Sequence, residues 1–252
     1  MIDACWTPAE IGRVRQHVAG RSTHLLVTHA DPDHVCGVDY MPDATVVMGE
    51  RSAMRLEDGS AQAELRSEAG RWRLDTSATL RVDVVVETGA ELELGSLHVA
   101  TVEARGHSSD GLAYLLRERG IFAVGDYLSA SMSPLIWSSV SDARRTTERL
   151  LARLDRDDIE LVVPGHGPLL TVAEARRIGE QDLAYLDALS YAADDAQRGE
   201  LTIRDWLVAV HSVALPRATD ADLDIFCPRM LNAAATFRDR GVEADLPWQL
   251  SL

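Results

Sequence analysis

The chain is poor in cysteine, in positive charge and in long apolar runs, and each shortage excludes something. Three cysteines in 252 residues, Cys5, Cys36 and Cys227, are too few and too widely spaced for a disulfide framework. They fit free thiols in a reducing compartment. Lys and Arg number 25 against 40 Asp and Glu, a net charge of −15, which argues against nucleic acid and against an anionic membrane surface as partners. No run approaches the roughly 20 apolar residues of a membrane span, and Met1-Ile2-Asp3 opens no signal peptide. The expected location is therefore cytoplasmic. There is no internal repeat, no low-complexity segment and no flexible linker, so the expectation is one domain over 1–252, with a helical part from about 171 onward. A hydrophobic content of 46% is ample for its core.

What is present is one dense stretch. Thr28-His29-Ala30-Asp31-Pro32-Asp33-His34 follows the apolar run Leu25-Leu26-Val27 and sets four possible metal ligands within six positions. Leu25–Thr28 reads as a buried strand, so the ligands fall on the loop beyond its C-terminal end, where functional residues on a rigid scaffold concentrate. Adjacent carboxylates repel, and burying them without a cation is costly. The bland alternative is a solvated Asp-Pro-Asp turn with two incidental histidines.

The same arrangement recurs. Leu97–Ala104 runs into Gly106-His107-Ser108, Ile121–Val124 into Gly125-Asp126, and Ile159–Val163 into Pro164-Gly165-His166-Gly167. Glycine lets the backbone turn sharply at a strand end and aim the next side chain. Further strands are expected at Thr45–Met48, Leu80–Glu87, Glu91–Leu94 and Leu112–Leu116, the last joined to Ile121–Val124 at Gly120. Helices are expected after Thr7-Pro8-Ala9-Glu10, over about 51–68 with a break at Gly59, over Ser141–Leu154, and over Val172–Arg198, Thr202–Val213 and Ala221–Arg240. Leu183, Leu186 and Leu189 suit either internal packing or a homodimer surface.

The order of these motifs resembles the metallo-β-lactamase superfamily over residues 1 to about 170, with Met1–Trp6 similar to the strand before its first helix. The resemblance implies an α/β fold, a four-layer αββα sandwich with a helical C-terminal extension. It implies a dinuclear centre: His29, Asp31 and His107 at one metal, Asp33, His34 and His166 at the other, Asp126 bridging. It also implies a hydrolase in which a hydroxide between two divalent ions attacks a small-molecule ester, lactone or amide-type bond. Asp33 would orient the nucleophile and shuttle a proton, and Asp126 would set the metal spacing. Zinc is the expected metal. The family usually carries histidine where this chain has Asp31, and a carboxylate there admits iron or manganese. A di-iron oxidoreductase acting on oxygen, nitric oxide or a sulfur species is the competing class.

Near the motifs, Leu135-Ile136-Trp137 could line a substrate pocket or pack under the later helices, and Tyr127 could be core or an oxyanion donor. Cys36 is expected to be a small buried residue. His17, His24, His98 and His211 are assigned no metal.

Overall fold

The computed structural model describes residues 1–21, 23–72, 79–217 and 228–242. Cys227 and the first part of the helix expected over 221–240 lie outside these residues. The chain divides into two compact units interleaved in sequence: Met1–Glu103 with Asp110–Gly125, and Ala104–Ser109 with Asp126–Leu252.

The first unit begins with helix α1 (Pro8–Val18). Its start is fixed by a capping box in which Thr7 Oγ1 accepts from the Glu10 amide and Glu10 accepts from the Thr7 amide. Strand β1 (His24–Val27), helical turn α2 (Pro32–Val35), strand β2 (Thr45–Gly49), helices α3 (Glu50–Glu57) and α4 (Ser60–Trp72) and strand β3 (Val84–Val86) follow. Strands β1, β2 and β3 form a parallel sheet in that order. Strands β4 (Glu91–Leu94), β5 (Leu97–Glu103), β6 (Leu112–Leu116) and β7 (Ile121–Gly125) pair antiparallel in sequence order.

Strand periodicity sorts the side chains of β1 and β2 between two cores. Leu26 and Val47, with Val86, pack against Val99, Leu112 and Tyr114, so the two sheets face each other. Leu25, Val27, Val46 and Met48 point the other way, onto Ile11, Val35, Ala61 and Leu65 of the helices. Helix, sheet and second sheet are thus stacked inside this unit, in keeping with the mixed α/β class.

The second unit holds helix α5 (Val140–Arg156), strand β8 (Leu161–Pro164) and helices α6 (Val172–Arg198), α7 (Ile203–His211) and α8 (Pro228–Asp239). Thr171 and Glu174 form a second capping box that starts α6. Leu186 and Leu189 on α6 are buried, so that stripe serves packing. Among the described residues no helix is long and apolar enough to cross a membrane.

Two local expectations are corrected. The strand expected over Leu80–Glu87 is confined to Val84–Val86. Its first half is tied down by side chains instead: Arg81 donates to the carbonyls of Val38, Met41 and Ala44, and Asp83 accepts from the Val46 amide at 2.8 Å. The loop expected after β1 contains the helical turn α2, because Pro32 presets a helical φ at its first position and the amides of His34 and Val35 reach the Asp31 carbonyl.

Candidate metal centre

In the first unit, His29 lies two residues past the end of strand β1 and the turn α2 carries Asp33 and His34. The rings of His29 and His34 lie 4.0 Å apart, centroid to centroid, and both residues are buried. Asp3 organises them. Its carboxylate accepts from the Thr28 amide at 2.8 Å, from Thr28 Oγ1 at 2.9 Å and from His34 Nδ1 at 2.9 Å. The carboxylate has no proton to give, so His34 carries its hydrogen on Nδ1. Thr28 Oγ1 spends its own proton on Asp3, and toward His29 Nδ1, 3.0 Å away, it accepts. The hydrogen-bond network therefore assigns both rings the tautomer with a lone pair on Nε2.

That is the outward atom in each case. His29 Nε2 lies 3.5 Å from Asp31 Oδ2, and His34 Nε2 lies 3.5 Å from Asp33 Oδ2. A direct N–H···O bond would be about 2.7–3.2 Å. Two donors on one tetrahedral ion, each about 2.0–2.2 Å from it, sit roughly 3.3–3.6 Å apart. The observed spacing matches the second case.

In the second unit, His107 follows Gly106, whose φ is +122° and at which an added Cβ would fall 2.1 Å from the Ala143 amide nitrogen. Only glycine allows that crossing. The His107 amide donates to Tyr127 Oη at 2.9 Å, and its Nδ1 donates to the Leu135 carbonyl at 2.6 Å. A carbonyl can only accept, so Nε2 again carries the lone pair. Asp126 Oδ2 is 3.4 Å from His107 Nε2 and 3.3 Å from His166 Nε2, so one oxygen faces both imidazoles. Ser129 donates to the His166 carbonyl and holds that loop.

The donors of each unit therefore fit divalent ions by tautomer and by spacing. Within the first unit His29, Asp31, Asp33 and His34 are brought together, and within the second His107, Asp126 and His166. The side chains of His166 and Asp33, 37% and 34% exposed, are the open members.

A cleft in the second unit is lined by His107, Asp126, His166, Leu135, Ile136 and Leu186. Leu135 and Ile136 both line it, and Ile136 is also buried, its amide donating to Asn232 Oδ1 of α8 at 2.8 Å. Tyr127 is buried, donates to the Arg105 carbonyl at 2.7 Å, and burial raises its phenol well above the ordinary value. Its hydroxyl is committed to positioning His107. Cys36 is buried and its thiol is likewise raised by burial, which makes it inert. His98 is exposed and paired with Glu118, and His17 and His211 lie on exposed helix positions.

Three supporting residues were not assigned roles from sequence: Asp3, Arg55 and Asp110. Asp110 is buried, and its Oδ2 accepts from the Ala30 amide and from Ser52 Oγ, each at 2.8 Å. Burial works against its ionised form, but the Arg55 cation holds its carboxyl below the usual range. Asp3 has φ 54°, a left-handed conformation that Asp tolerates better than most residues and that could not be read from the sequence.

Comparison with known proteins places these observations. The family model described as the metallo-beta-lactamase superfamily matches residues 20–166. The acyl-coenzyme A thioesterase MBLAC2 of Bos taurus is 27% identical over 163 residues, covering 60% of this chain and 58% of that protein. A hydroxyacylglutathione hydrolase of Methylobacterium sp. (strain 4-46) is 28% identical over 177 residues, covering 70% of this chain and 60% of that one. The chain thus spans under two thirds of the length of these relatives. Among solved structures, a metallo-beta-lactamase family protein of Thermus thermophilus aligns with a TM-score of 0.62 at 20% identity, over 95% of this chain and 84% of that chain, a likeness of fold.

Proposed function

The chain belongs to the metallo-β-lactamase superfamily, and from that premise we propose that it is a metal-dependent hydrolase of a small-molecule carbonyl ester, with an acyl thioester as the favoured substrate. In this reading His29, Asp31 and His107 would hold one divalent ion and Asp33, His34 and His166 a second, with Asp126 shared between them. The observation that carries it is the common posture of the buried histidines: His34 and His107 give Nδ1–H to fixed acceptors, Asp3 and the Leu135 carbonyl, and keep Nε2 for a metal.

When bound, divalent ions there would supply Lewis acidity and would lower the pKa of water toward about 7. The chain's own residues do the rest. The half-exposed Asp33 orients the attacking water, takes its proton and returns it to the leaving group. The apolar wall of Leu135 and Ile136 excludes solvent from the acyl chain.

Leaving-group chemistry favours the thioester over an amide. A thiol, with a pKa of about 8.5, departs with little proton assistance, whereas an amine must be fully protonated as it leaves. The two relatives described above act, by name, on acyl conjugates of coenzyme A and glutathione.

The test is thiol release from acyl-coenzyme A and S-acylglutathione substrates, beside simple esters and lactones, with chelator-stripped and zinc- or manganese-reconstituted protein. Metal-dependent turnover of a thioester or ester is expected. No turnover of any carbonyl ester by fully reconstituted protein would defeat the reading. Asp31 supports a second reading, since a carboxylate suits iron: two bound iron atoms and oxygen consumption, in place of ester turnover, would move the assignment to a di-iron oxidoreductase.

A further inference from the structure

A carboxylate at position 31, where the family resemblance puts an imidazole, brings a negative charge and a second possible donor atom that a neutral histidine would not. Both are met by a single side chain. Arg55 of α3 donates from Nη1 to Asp31 Oδ1 at 2.9 Å and to Asp110 Oδ1 at 2.8 Å, and its Nη2 reaches Glu64. The Arg55 side chain is 14% exposed and that of Asp110 is fully buried. Burial opposes the charge of Arg55, yet Asp110, Asp31 and Glu64 hold the guanidinium more firmly protonated than usual. Asp110 is also the residue that grips the Ala30 amide, between His29 and Asp31. One buried carboxylate therefore fixes both the backbone that carries Asp31 and the cation that meets it.

We propose that Arg55 is a positioning residue matched to the carboxylate at 31. It holds Oδ1 and leaves Oδ2, the oxygen that faces His29 Nε2 at 3.5 Å, as the single metal donor. Residues 31 and 55 then form one unit, and neither can be exchanged alone. The inference rests on the metal-centre reading above.

Two physical arguments support the pairing. An aspartate with both oxygens free can bind a cation through one or both, and so defines no single geometry. The Arg55 fork removes that choice, and a lysine, as a point charge, cannot span Asp31, Asp110 and Glu64 at fixed angles. In addition, a buried guanidinium close to a divalent ion is repelled by it unless a carboxylate lies between them. Asp31 is that carboxylate. Replacing it with histidine restores the usual family ligand but leaves Arg55 facing the ion across a neutral ring.

The test is a double-mutant cycle read by metal binding, not by turnover. Asp31→His, Arg55→Gln and the double variant are titrated with zinc and with cobalt(II) against a competing chelator. Elemental analysis gives ions per chain, the cobalt visible spectrum reports ligand geometry, and circular dichroism checks the fold. Glutamine keeps an amide donor for Asp110. Each single variant is expected to lose at least about tenfold in affinity at one ion, the size of outer-sphere effects, and the double variant to recover most of that loss. Should Arg55→Gln fail to fold, Arg55→Lys stands in, with the same loss expected. Asp31→His binding two ions as tightly as the wild type, single losses that simply add in the double variant, or an unaffected Arg55→Lys would each overturn the proposal. A wild-type chain that takes up no metal would instead defeat the metal-centre reading, and this inference with it.

Discussion

Asp3→Asn separates what holds the fold from what would tune the proposed metal centre. Asp3 receives the Thr28 amide on Oδ1 and, on Oδ2, both Thr28 Oγ1 and His34 Nδ1. Asparagine keeps one acceptor for the Thr28 amide and accepts the left-handed φ of 54°. It loses the negative charge and sets an NH₂ group against the His34 ring. The fold therefore keeps the bond to the 1%-exposed Thr28, whose loss would cost about 1–3 kcal/mol. His34 loses its charged partner, and outer-sphere changes of this kind typically cost 10–100-fold in metal affinity, about 1.4–2.7 kcal/mol. Chelator competition measures the affinity, and thermal unfolding with and without metal measures the stability. The expected pattern is metal-free stability within about 1 kcal/mol of wild type with at least about tenfold weaker metal binding. Asp3→Ala should lose both. Wild-type metal affinity in Asp3→Asn would refute the claim that Asp3 fixes the His34 tautomer for a metal.

Other substitutions report on other parts. Asp126→Ala, which removes the oxygen shared by His107 and His166, is expected to lower activity more than about 100-fold, past the usual outer-sphere range; a fully active variant would remove Asp126 from the centre. Tyr127→Phe strands the His107 amide and is expected to cost about 1–3 kcal/mol in denaturant unfolding with turnover reduced far less than by Asp126→Ala. A larger loss of turnover than of stability would restore the oxyanion role. Gly106→Ala, with its Cβ driven into the Ala143 backbone, is expected to destabilise by several kcal/mol, and soluble protein of wild-type stability would contradict the packing.

Burial, only partly offset by Arg217, raises Asp182 to about 6. The folded state then binds this proton more tightly than the unfolded state, so its contribution favours folding at low pH and is lost as pH rises from about 4 to 6. Urea titrations across that range should show the wild type losing stability relative to Asp182→Asn by up to about 3 kcal/mol. A constant difference between the two proteins would show that Asp182 stays ionised.

The candidate ligands were legible because each lies where a hydrophobic run stops. His29, His107, Asp126 and His166 follow β1, β5, β7 and β8 within a few residues, a purely local pattern. What supports them is not local. Asp3 meets His34 across 31 positions, Asp110 meets Ala30 across 80, and Arg55 meets Asp31 across 24. No periodicity encodes those pairings, and they exist only once β1 and β6 are brought together around Leu26 and Tyr114. The short α2 turn was hidden for a different reason. Asp-Pro-Asp serves equally as a turn and as a helix start, and the His34 and Val35 amides bonded to the Asp31 carbonyl decide between them.

The most direct test of the central claim is elemental metal analysis of the protein purified without added metal and again after reconstitution, scaled to protein concentration. Close to two divalent ions per chain are expected, falling in Asp126→Ala. A chain that remains free of metal after reconstitution would contradict the claim.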